Sequence, residues 1–162
     1  MSELLDRDSV IELLTELGRR LDERGTFVEL YLVGGTAMLM GYDRNRMTRD
    51  IDAVWPETSD MQRPMLPLID DTEAFEALVL PGVSVTIASP RHMIAMKARA
   101  ARDARDLDDI SLLCAREGIT TVTEVLAIAD DVWGPGMLRE EAVFTLREGL
   151  TERGLRGEST GG

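Results

Sequence analysis

The sequence predicts an α+β fold with an N-terminal helix, a small mixed β-sheet and a C-terminal helical half. Apolar residues at helical spacing open the chain, and short apolar segments bounded by glycine or proline follow. Four helical patterns then succeed one another. At 162 residues, 44% of them hydrophobic, the chain suits a single domain. We place that domain at 1–155, its sheet core at about 26–89, its helical half at about 90–150 and a disordered tail at 156–162.

The first half of the chain alternates helix and strand signals. Ser9 and Glu12 have the spacing of a capping box, and a leucine-rich helix follows them as far as Gly25. An apolar strand at 28–33 then leads into a glycine turn. The remaining predictions for this half are a short helix at 36–40 ended by Gly41, a strand at 50–55, a proline-rich loop at 56–67, a short helix at 72–78 and a strand at 83–88.

The second half is predicted to form four helices. Pro90 follows a serine and takes the first position of the first helix, where its missing N–H costs nothing. The second helix ends at Gly118. Thr121 and Glu124 form a capping box for the third helix, and the last helix covers 137–150 after a Gly-Pro-Gly spacer.

Composition and charge limit the classes of protein that fit. The net charge of −12 opposes a large nonspecific nucleic-acid surface. Arginines concentrate in the middle of the chain, which suits a small anionic ligand or, equally well, an ordinary mixed surface. The absence of a long apolar run and of signal-peptide features predicts a cytoplasmic protein without a membrane partner. The single cysteine, Cys114, lies in an apolar pattern, which indicates a buried residue and excludes a disulfide.

Asp50 and Asp52 are the first candidates for chemistry. Two residues apart on the predicted strand at 50–55, their carboxylates are expected on the same face. Mg²⁺ prefers one or two carboxylates together with water and substrate phosphates. A solvated pair, or weak surface salt bridges to Arg46 and Arg49, explains the same residues without a metal.

Gly34, Gly35 and Thr36 follow the predicted strand at 28–33. Glycines at a strand-to-helix turn let the backbone approach a ligand closely, and N–H groups at a helix start hold phosphate oxygens. The Thr36 hydroxyl either caps the helix or donates to a phosphate. Alone, these are ordinary turn residues, but together with the aspartate pair they predict a phosphate-binding turn facing a metal site.

Lys97 is the only lysine beside seventeen arginines. A lone lysine indicates a place where a compact ammonium works and a planar guanidinium does not, such as a contact with the β- or γ-phosphate of a nucleotide, although chance retention is the alternative. Downstream, Asp106 and Asp109 share a helix face at a spacing of three residues. Arginines four residues before each of them favour an exposed helix with surface ion pairs. The functional alternative is that Asp106 orients Lys97, with Asp109 beside it.

Four motifs in this order resemble the minimal nucleotidyltransferases of the AbiEii and MenT type. They are Gly-Gly-Thr-Ala at 34–37, Arg-x-Thr-x-Asp-Ile-Asp at 46–52, Met-Lys-x-x-Ala at 96–100 and Arg-Asp-x-x-Asp-Ile at 105–110. Those enzymes belong to the DNA polymerase β-like superfamily and are often toxins of bacterial toxin–antitoxin pairs. The resemblance extends over about residues 28–130 and implies that the small sheet is a nucleotidyltransferase core.

The resemblance also implies an activity and its residues. A nucleoside monophosphate would pass from an NTP such as ATP to an acceptor hydroxyl, with release of pyrophosphate. Relatives of the MenT type modify tRNA 3′ ends, whereas other branches modify protein tyrosines or antibiotics, and a cognate antitoxin is the implied protein partner. The implied metal is Mg²⁺ or Mn²⁺ on Asp50 and Asp52. The implied catalytic residues are Asp50, Asp52, Lys97, Asp106 and Asp109, and the implied nucleotide-binding residues are Gly34, Gly35, Thr36, Arg46 and Lys97.

A second interpretation keeps the fold and removes the reaction. The chain would then be a catalytically weak nucleotide-binding or partner-binding regulatory module. Retention of all four motif residues, Gly35, Asp50, Asp52 and Lys97, argues against this, because a binding module has less need of a metal pair. The predicted strand at 83–88 contains no carboxylate, so the sequence identifies no third metal ligand.

Overall fold

The computed structural model describes residues 3–55 and 70–157 and confirms the α+β class. The predicted loop at 56–67 therefore lies outside the described residues. Contacts between Cα atoms divide the chain into two compact units. We call residues 3–55 and 70–89 the sheet unit and residues 90–157 the helical unit. The sequence places the start of the helical half at the same position, after Ser89.

Helix α1 spans Arg7–Glu23, and its N-cap lies three residues before the predicted cap, Ser9. Asp6 is the N-cap, and its carboxylate accepts a hydrogen bond from the Ser9 N–H at 2.8 Å. Ser9 thus lies inside the first turn, because an upstream aspartate already satisfies the N–H groups that a cap serves. The predicted stop is confirmed, since Gly25 adopts a φ of 65° just beyond the helix.

The sheet has four described strands in the spatial order β2-β1-β4-β3. Strands β1 and β4 are parallel, and the two outer pairs are antiparallel. The predicted strands at 28–33 and 83–88 are confirmed as β1 and β4. The observed bounds are Val28–Leu32 for β1, Ala53–Val54 for β2, Phe75–Leu80 for β3 and Val83–Ile87 for β4.

Strand β3 replaces the short helix predicted at 72–78. Its alanine, glutamate and leucine residues favour a helix locally, but the segment pairs antiparallel with β4 from Phe75↔Ile87 to Leu80↔Val83. The turn between them is closed by Gly82, whose φ is 77°. Pairing with a neighbouring strand outweighs intrinsic helix propensity here, and a local pattern does not contain that information.

The chain between β1 and β2 begins with a tight helical turn. Helix α2, Gly34–Ala37, continues into a π-helical turn, Met38–Tyr42. The predicted helix at 36–40 thus starts earlier than expected and does not end at Gly41. Gly41 lies inside the π-helical turn, where an added Cβ would lie 3.1 Å from both Phe75 and Ile87.

Helix α1 lies directly against the β3–β4 turn. A Cβ at Gly18 would lie 2.5 Å from the Pro81 carbonyl oxygen, so only glycine permits this approach. The apolar face of α1 and one face of the sheet form a buried core. Its fully or almost fully buried side chains include Leu14, Leu30, Leu32, Met38, Leu39, Val85 and Ile87.

The helical unit contains the four predicted helices. Pro90 starts the first, Gly118 ends the second with a φ of 71°, and the Thr121–Glu124 capping box is formed at the third. None of the helices in the described part of the chain combines the length and apolarity that a membrane span requires. The observed bounds are Pro90–Ala100 for α3, Ala104–Glu117 for α4, Val122–Trp133 for α5 and Glu140–Glu152 for α6.

Two further predictions concern Cys114 and the end of the chain. Cys114 is completely buried in α4, as predicted, and burial raises the pKa of its thiol to about 12. Within the predicted tail, Arg156 exchanges backbone hydrogen bonds with Thr120 and Val122. Residues 158–162 lie outside the described residues.

Candidate functional site

Asp50 and Asp52 lie before strand β2, which covers only Ala53–Val54. The prediction of a strand at 50–55 is therefore wrong for the aspartates, and the alternation argument that placed both carboxylates on one face does not apply to them. Both residues are exposed. Other contacts hold this segment in place.

Two buried threonine hydroxyls hold the backbone of the aspartate segment. Thr36 Oγ1 donates to the Asp50 carbonyl oxygen at 2.8 Å and accepts from the Asp52 N–H at 3.1 Å. Thr48 Oγ1 donates to the same Asp50 carbonyl at 3.0 Å. The Val33 N–H then donates to the Asp52 carbonyl at 3.0 Å, which joins the segment to the end of β1. Hydrogen bonds from side chains thus hold the aspartate segment, where the sequence predicts pairing between strands.

The two glycines of the turn let the aspartate segment approach closely. Gly34 has a φ of 59°, and a Cβ there would lie 2.6 Å from Asp52 Oδ2. A Cβ at Gly35 would lie 2.9 Å from Thr48 Oγ1. The sequence predicts that these glycines let a ligand approach the backbone. In the structure, the Asp52 carboxylate lies against the start of α2 and occupies at least part of that space.

Thr36 and Arg46 differ in how accessible they are. Thr36 is completely buried, and its hydroxyl already contacts two backbone groups, so it neither caps α2 nor lies at the surface. Arg46 is partly buried just after the π-helical turn, and its N–H donates to the Asp43 carbonyl at 3.1 Å.

Lys97, Asp106 and Asp109 form a buried cluster within the helical unit. The Lys97 Nζ atom lies 2.6 Å from Asp109 Oδ2 and 3.3 Å from Asp106 Oδ1. The three side chains are only 10%, 4% and 12% exposed, in the order Lys97, Asp109 and Asp106. The exposure expected for these two aspartates is thus wrong, because both are buried beside Lys97, whereas the predicted pair between Arg102 and Asp106 is present at 4.0 Å. The alternative, with Asp106 beside Lys97, is confirmed as a contact.

The start of α4 orients Asp106. Asp103 caps the helix by accepting the Asp106 N–H at 3.1 Å. The second carboxylate oxygen of Asp106 accepts the Arg102 N–H at 3.3 Å, and the Arg102 guanidinium lies 4.0 Å from it. Backbone hydrogen bonds on both sides of the residue thus keep the carboxylate turned toward Lys97.

One further carboxylate lies at the ends of the central strands. Asp71 accepts hydrogen bonds from the Tyr31 hydroxyl and, at 2.8 Å, from the Ser89 N–H. Burial, followed by the Asp71 carboxylate, raises the pKa of Tyr31. These contacts give Asp71 a structural role in closing the end of the sheet.

The structure therefore collects the predicted residues into two groups. Gly34, Gly35, Thr36, Asp50 and Asp52 come together in the sheet unit, and Lys97, Asp106 and Asp109 come together in the helical unit. Sequence reasoning missed Thr48 as a site residue. The available signal was its position two residues before Asp50, where a threonine hydroxyl often bonds the nearby backbone.

The aspartate pair has the chemistry of a small magnesium site. Two exposed carboxylates supply hard oxygen ligands, and that of Asp52 lies directly against the glycine turn at Gly34. Within residues 3–55 and 70–157, no three histidine, cysteine, aspartate or glutamate side chains are grouped to hold a metal ion. The residues thus fit an ion that takes its remaining ligands from water and substrate.

A glycine turn against an Asp-x-Asp segment beside a mixed sheet is the arrangement that the motif resemblance to nucleotidyltransferases implies. Comparison with known families agrees. A family model described as "Nucleotidyl transferase AbiEii toxin, Type IV TA system" matches residues 17–71. This segment is similar to the nucleotidyl transferase domain of the AbiEii toxin family, and the match confirms the resemblance drawn from the motifs.

The match has a defined extent. It includes the glycine turn, Asp50 and Asp52, and covers about a third of the chain. Lys97 and its two aspartates lie outside it. No curated protein and no solved structure gives a significant match.

Proposed function

We propose that this protein is a Mg²⁺-dependent nucleotidyltransferase that transfers a nucleoside monophosphate from an NTP to an acceptor hydroxyl. The observation that supports it most is the Asp52 carboxylate lying against Gly34, within the segment matched by the AbiEii toxin family. An acidic side chain at a phosphate-binding turn is unfavourable unless a cation accompanies the phosphates. A divalent ion resolves that repulsion.

The sheet unit supplies the proposed nucleotide and metal ligands. Asp50 and Asp52 would hold Mg²⁺ or Mn²⁺, which when bound stabilises charge on the phosphate oxygens of the donor. The N–H groups at the start of α2 would hold the triphosphate, since the first turn of a helix has no acceptors of its own. Arg46 would add a positive charge to this nucleotide site.

The helical unit supplies the proposed catalytic ammonium. Lys97 is oriented by Asp106 and Asp109, so it carries its charge in one geometry rather than sampling many rotamers. Its expected role is to stabilise the charge of the transferring phosphates, and the two aspartates would act by holding it. Lys97→Arg keeps the charge but adds a wider planar group in a buried position, so we expect most transfer activity to be lost.

The direct test is transfer of label from α-labelled NTPs to total RNA and to cell lysate, with and without Mg²⁺. Asp52→Asn should reduce transfer about a hundredfold or more, because even outer-shell partners of metal ligands contribute about ten- to a hundredfold. Asp22→Asn is the matched control, an exposed aspartate of the same unit in α1. Full Mg²⁺-dependent transfer by a folded Asp52→Asn variant would refute the assignment.

We propose the acceptor end of tRNA as the substrate, held through a few phosphates. The candidate basic residues have different surroundings. Arg91 pairs with Asp131, and the Arg99 guanidinium lies 4.3 Å from the centre of the Trp133 ring. The full set of candidates is Arg44, Arg46, Arg91, Arg99 and Arg102.

RNA binding through a few phosphate contacts has a measurable salt dependence. Contacts from two to four arginines predict a slope of about −0.7 to −0.9 per contact in a plot of log affinity against log salt. RNA binding should therefore be measured from low to moderate salt. Labelling of a protein or small molecule, without RNA labelling at low salt, would assign the acceptor to another class and leave the nucleotide site in place.

The type IV toxin family implies an NTP substrate and a cognate antitoxin. The regulatory-module alternative predicts a different result in the same assays. NTP binding that does not require Mg²⁺, with no label transferred to RNA or lysate, would favour a binding module over an enzyme.

A further inference from the structure

Thr36 and Thr48, which we call the hydroxyl pair, converge on one backbone oxygen. Both donate to the Asp50 carbonyl, at 2.8 and 3.0 Å, and so use both of its lone pairs. Thr36 is 0% and Thr48 is 6% exposed, whereas Asp50 and Asp52 are exposed. Two buried hydroxyls therefore bond the backbone of the segment that carries the two exposed carboxylates.

The hydroxyl pair lies where regular strand pairing ends. Strand β2 begins only at Ala53, and a single backbone hydrogen bond, from the Val33 N–H to the Asp52 carbonyl, continues the pairing before it. Thr36 spans the segment, since it donates to the Asp50 carbonyl and accepts the Asp52 N–H at 3.1 Å. One side chain thus sets the backbone on both sides of Ile51.

The hydroxyl pair also joins this segment to the glycine turn. Thr36 belongs to α2, so its two hydrogen bonds connect the helix start directly to Asp50 and Asp52. A Cβ at Gly35 would lie only 2.9 Å from Thr48 Oγ1, so Thr48 lies close to the glycine turn. One set of buried hydrogen bonds therefore connects the proposed phosphate-binding turn to the segment with the proposed metal-binding carboxylates.

We propose that Thr36 and Thr48 are positioning residues that hold the Asp50 and Asp52 carboxylates in the geometry of a divalent cation site. This inference rests on the proposed function, because it assumes that these carboxylates bind the metal. It gives the Thr36 hydroxyl a task different from the phosphate contact that the sequence predicts. Its hydrogen bonds hold the metal ligands rather than the nucleotide.

The test measures Mn²⁺ binding in the absence of nucleotide, with the free ion quantified by electron paramagnetic resonance. Thr36→Val keeps the branched shape and removes the hydroxyl, and should raise the Kd for Mn²⁺ about tenfold, as expected for the loss of a buried hydrogen bond. Thr36→Ser should restore binding to near the wild-type value. Thr48→Val removes one contact instead of two and should have the smaller effect.

Two measurements separate positioning from general loss of structure. Thr15→Val is the control, since the Thr15 hydroxyl donates to the Ile11 carbonyl at 2.7 Å in α1, and it should leave Mn²⁺ binding unchanged. Hydrogen exchange at the Asp52 amide should accelerate in Thr36→Val and not in Thr36→Ser. If Thr36→Val does not fold, the comparison of Thr48→Val with Thr48→Ser carries the same test.

The outcomes distinguish this inference from the proposed function. If Asp52→Asn weakens Mn²⁺ binding while folded valine variants at 36 and 48 bind like wild type, the positioning role is refuted and the metal site stands. If Asp52→Asn and the wild-type chain bind Mn²⁺ equally, or neither binds it, the metal assignment fails and the positioning role fails with it.

Discussion

Substitution of Gly34 tests the contact between the glycine turn and the proposed metal-binding segment. Gly34→Ala would place a Cβ 2.6 Å from Asp52 Oδ2, 3.2 Å from its Cγ and 3.4 Å from its Cβ. Restoring an ordinary contact of about 3.4 Å requires the carboxylate oxygen to move by about 0.8 Å. Asp52 is exposed, so its side chain can rotate away and the fold should survive.

The expected effects on stability and activity differ in size. The φ of 59° costs an alanine about 1–2 kcal/mol, which for a chain of this length lowers Tm by roughly 2–8 °C. A displacement approaching 1 Å in a reacting geometry costs about a hundredfold in rate. Gly34→Ala should therefore lose about a hundredfold in transfer with only a modest fall in Tm.

Gly25→Ala is the matched control for Gly34→Ala. Gly25 has a φ of 65°, almost the same as Gly34, but nothing lies within 4 Å of an added Cβ. The two variants should lose similar Tm in thermal unfolding, and only Gly34→Ala should lose NMP transfer and Mn²⁺ binding. Near-wild-type transfer by Gly34→Ala, with a Tm equal to that of Gly25→Ala, would show that the Asp52 contact does not matter.

Three further predictions concern stability, pH and reactivity. Lys97→Met removes the ammonium 2.6 Å from the buried Asp109 carboxylate. We expect the free energy of unfolding, measured by urea titration, to fall by about 3–5 kcal/mol, because the Asp109 carboxylate is left buried without this ammonium. A loss below about 1 kcal/mol would contradict the buried ion pair. Hydrogen bonds from Arg19 and a second arginine lower the pKa of Glu16 from 4.5 to about 2, so the stability it contributes is present above pH 4.5 and lost as pH falls toward 2. The difference in unfolding free energy between wild type and Glu16→Gln should narrow over that pH window, and a constant difference would argue against the depressed pKa. Cys114 is buried with a pKa of about 12, so thiol reagents at pH 8 should modify it only after unfolding, and rapid labelling of the native chain would contradict its burial.

Local signals predicted the elements whose ends and faces depend on neighbouring residues in the chain. The capping box at Thr121 and Glu124 and the left-handed stop at Gly118 form because a few adjacent residues satisfy the backbone groups of their own helix. Helix α1 shows the limit of such signals. Asp6 and Ser9 both have side chains suited to an N-cap, and Asp6 is the N-cap in the structure. Strand β3 shows another limit, because its partner β4 decides its conformation.

Residue types and spacings determined the chemistry of this protein, since carboxylates two apart, paired glycines and a lone lysine are visible without coordinates. Only the tertiary structure decided how those groups are held. Asp50 and Asp52 lie before a strand rather than in one, and Thr36 and Thr48 bond their backbone. Asp106 and Asp109 are buried beside Lys97, and Asp106 also lies 4.0 Å from the guanidinium of Arg102. The physical reason is that sequence specifies which groups need partners, whereas burial and packing between distant segments choose the partners.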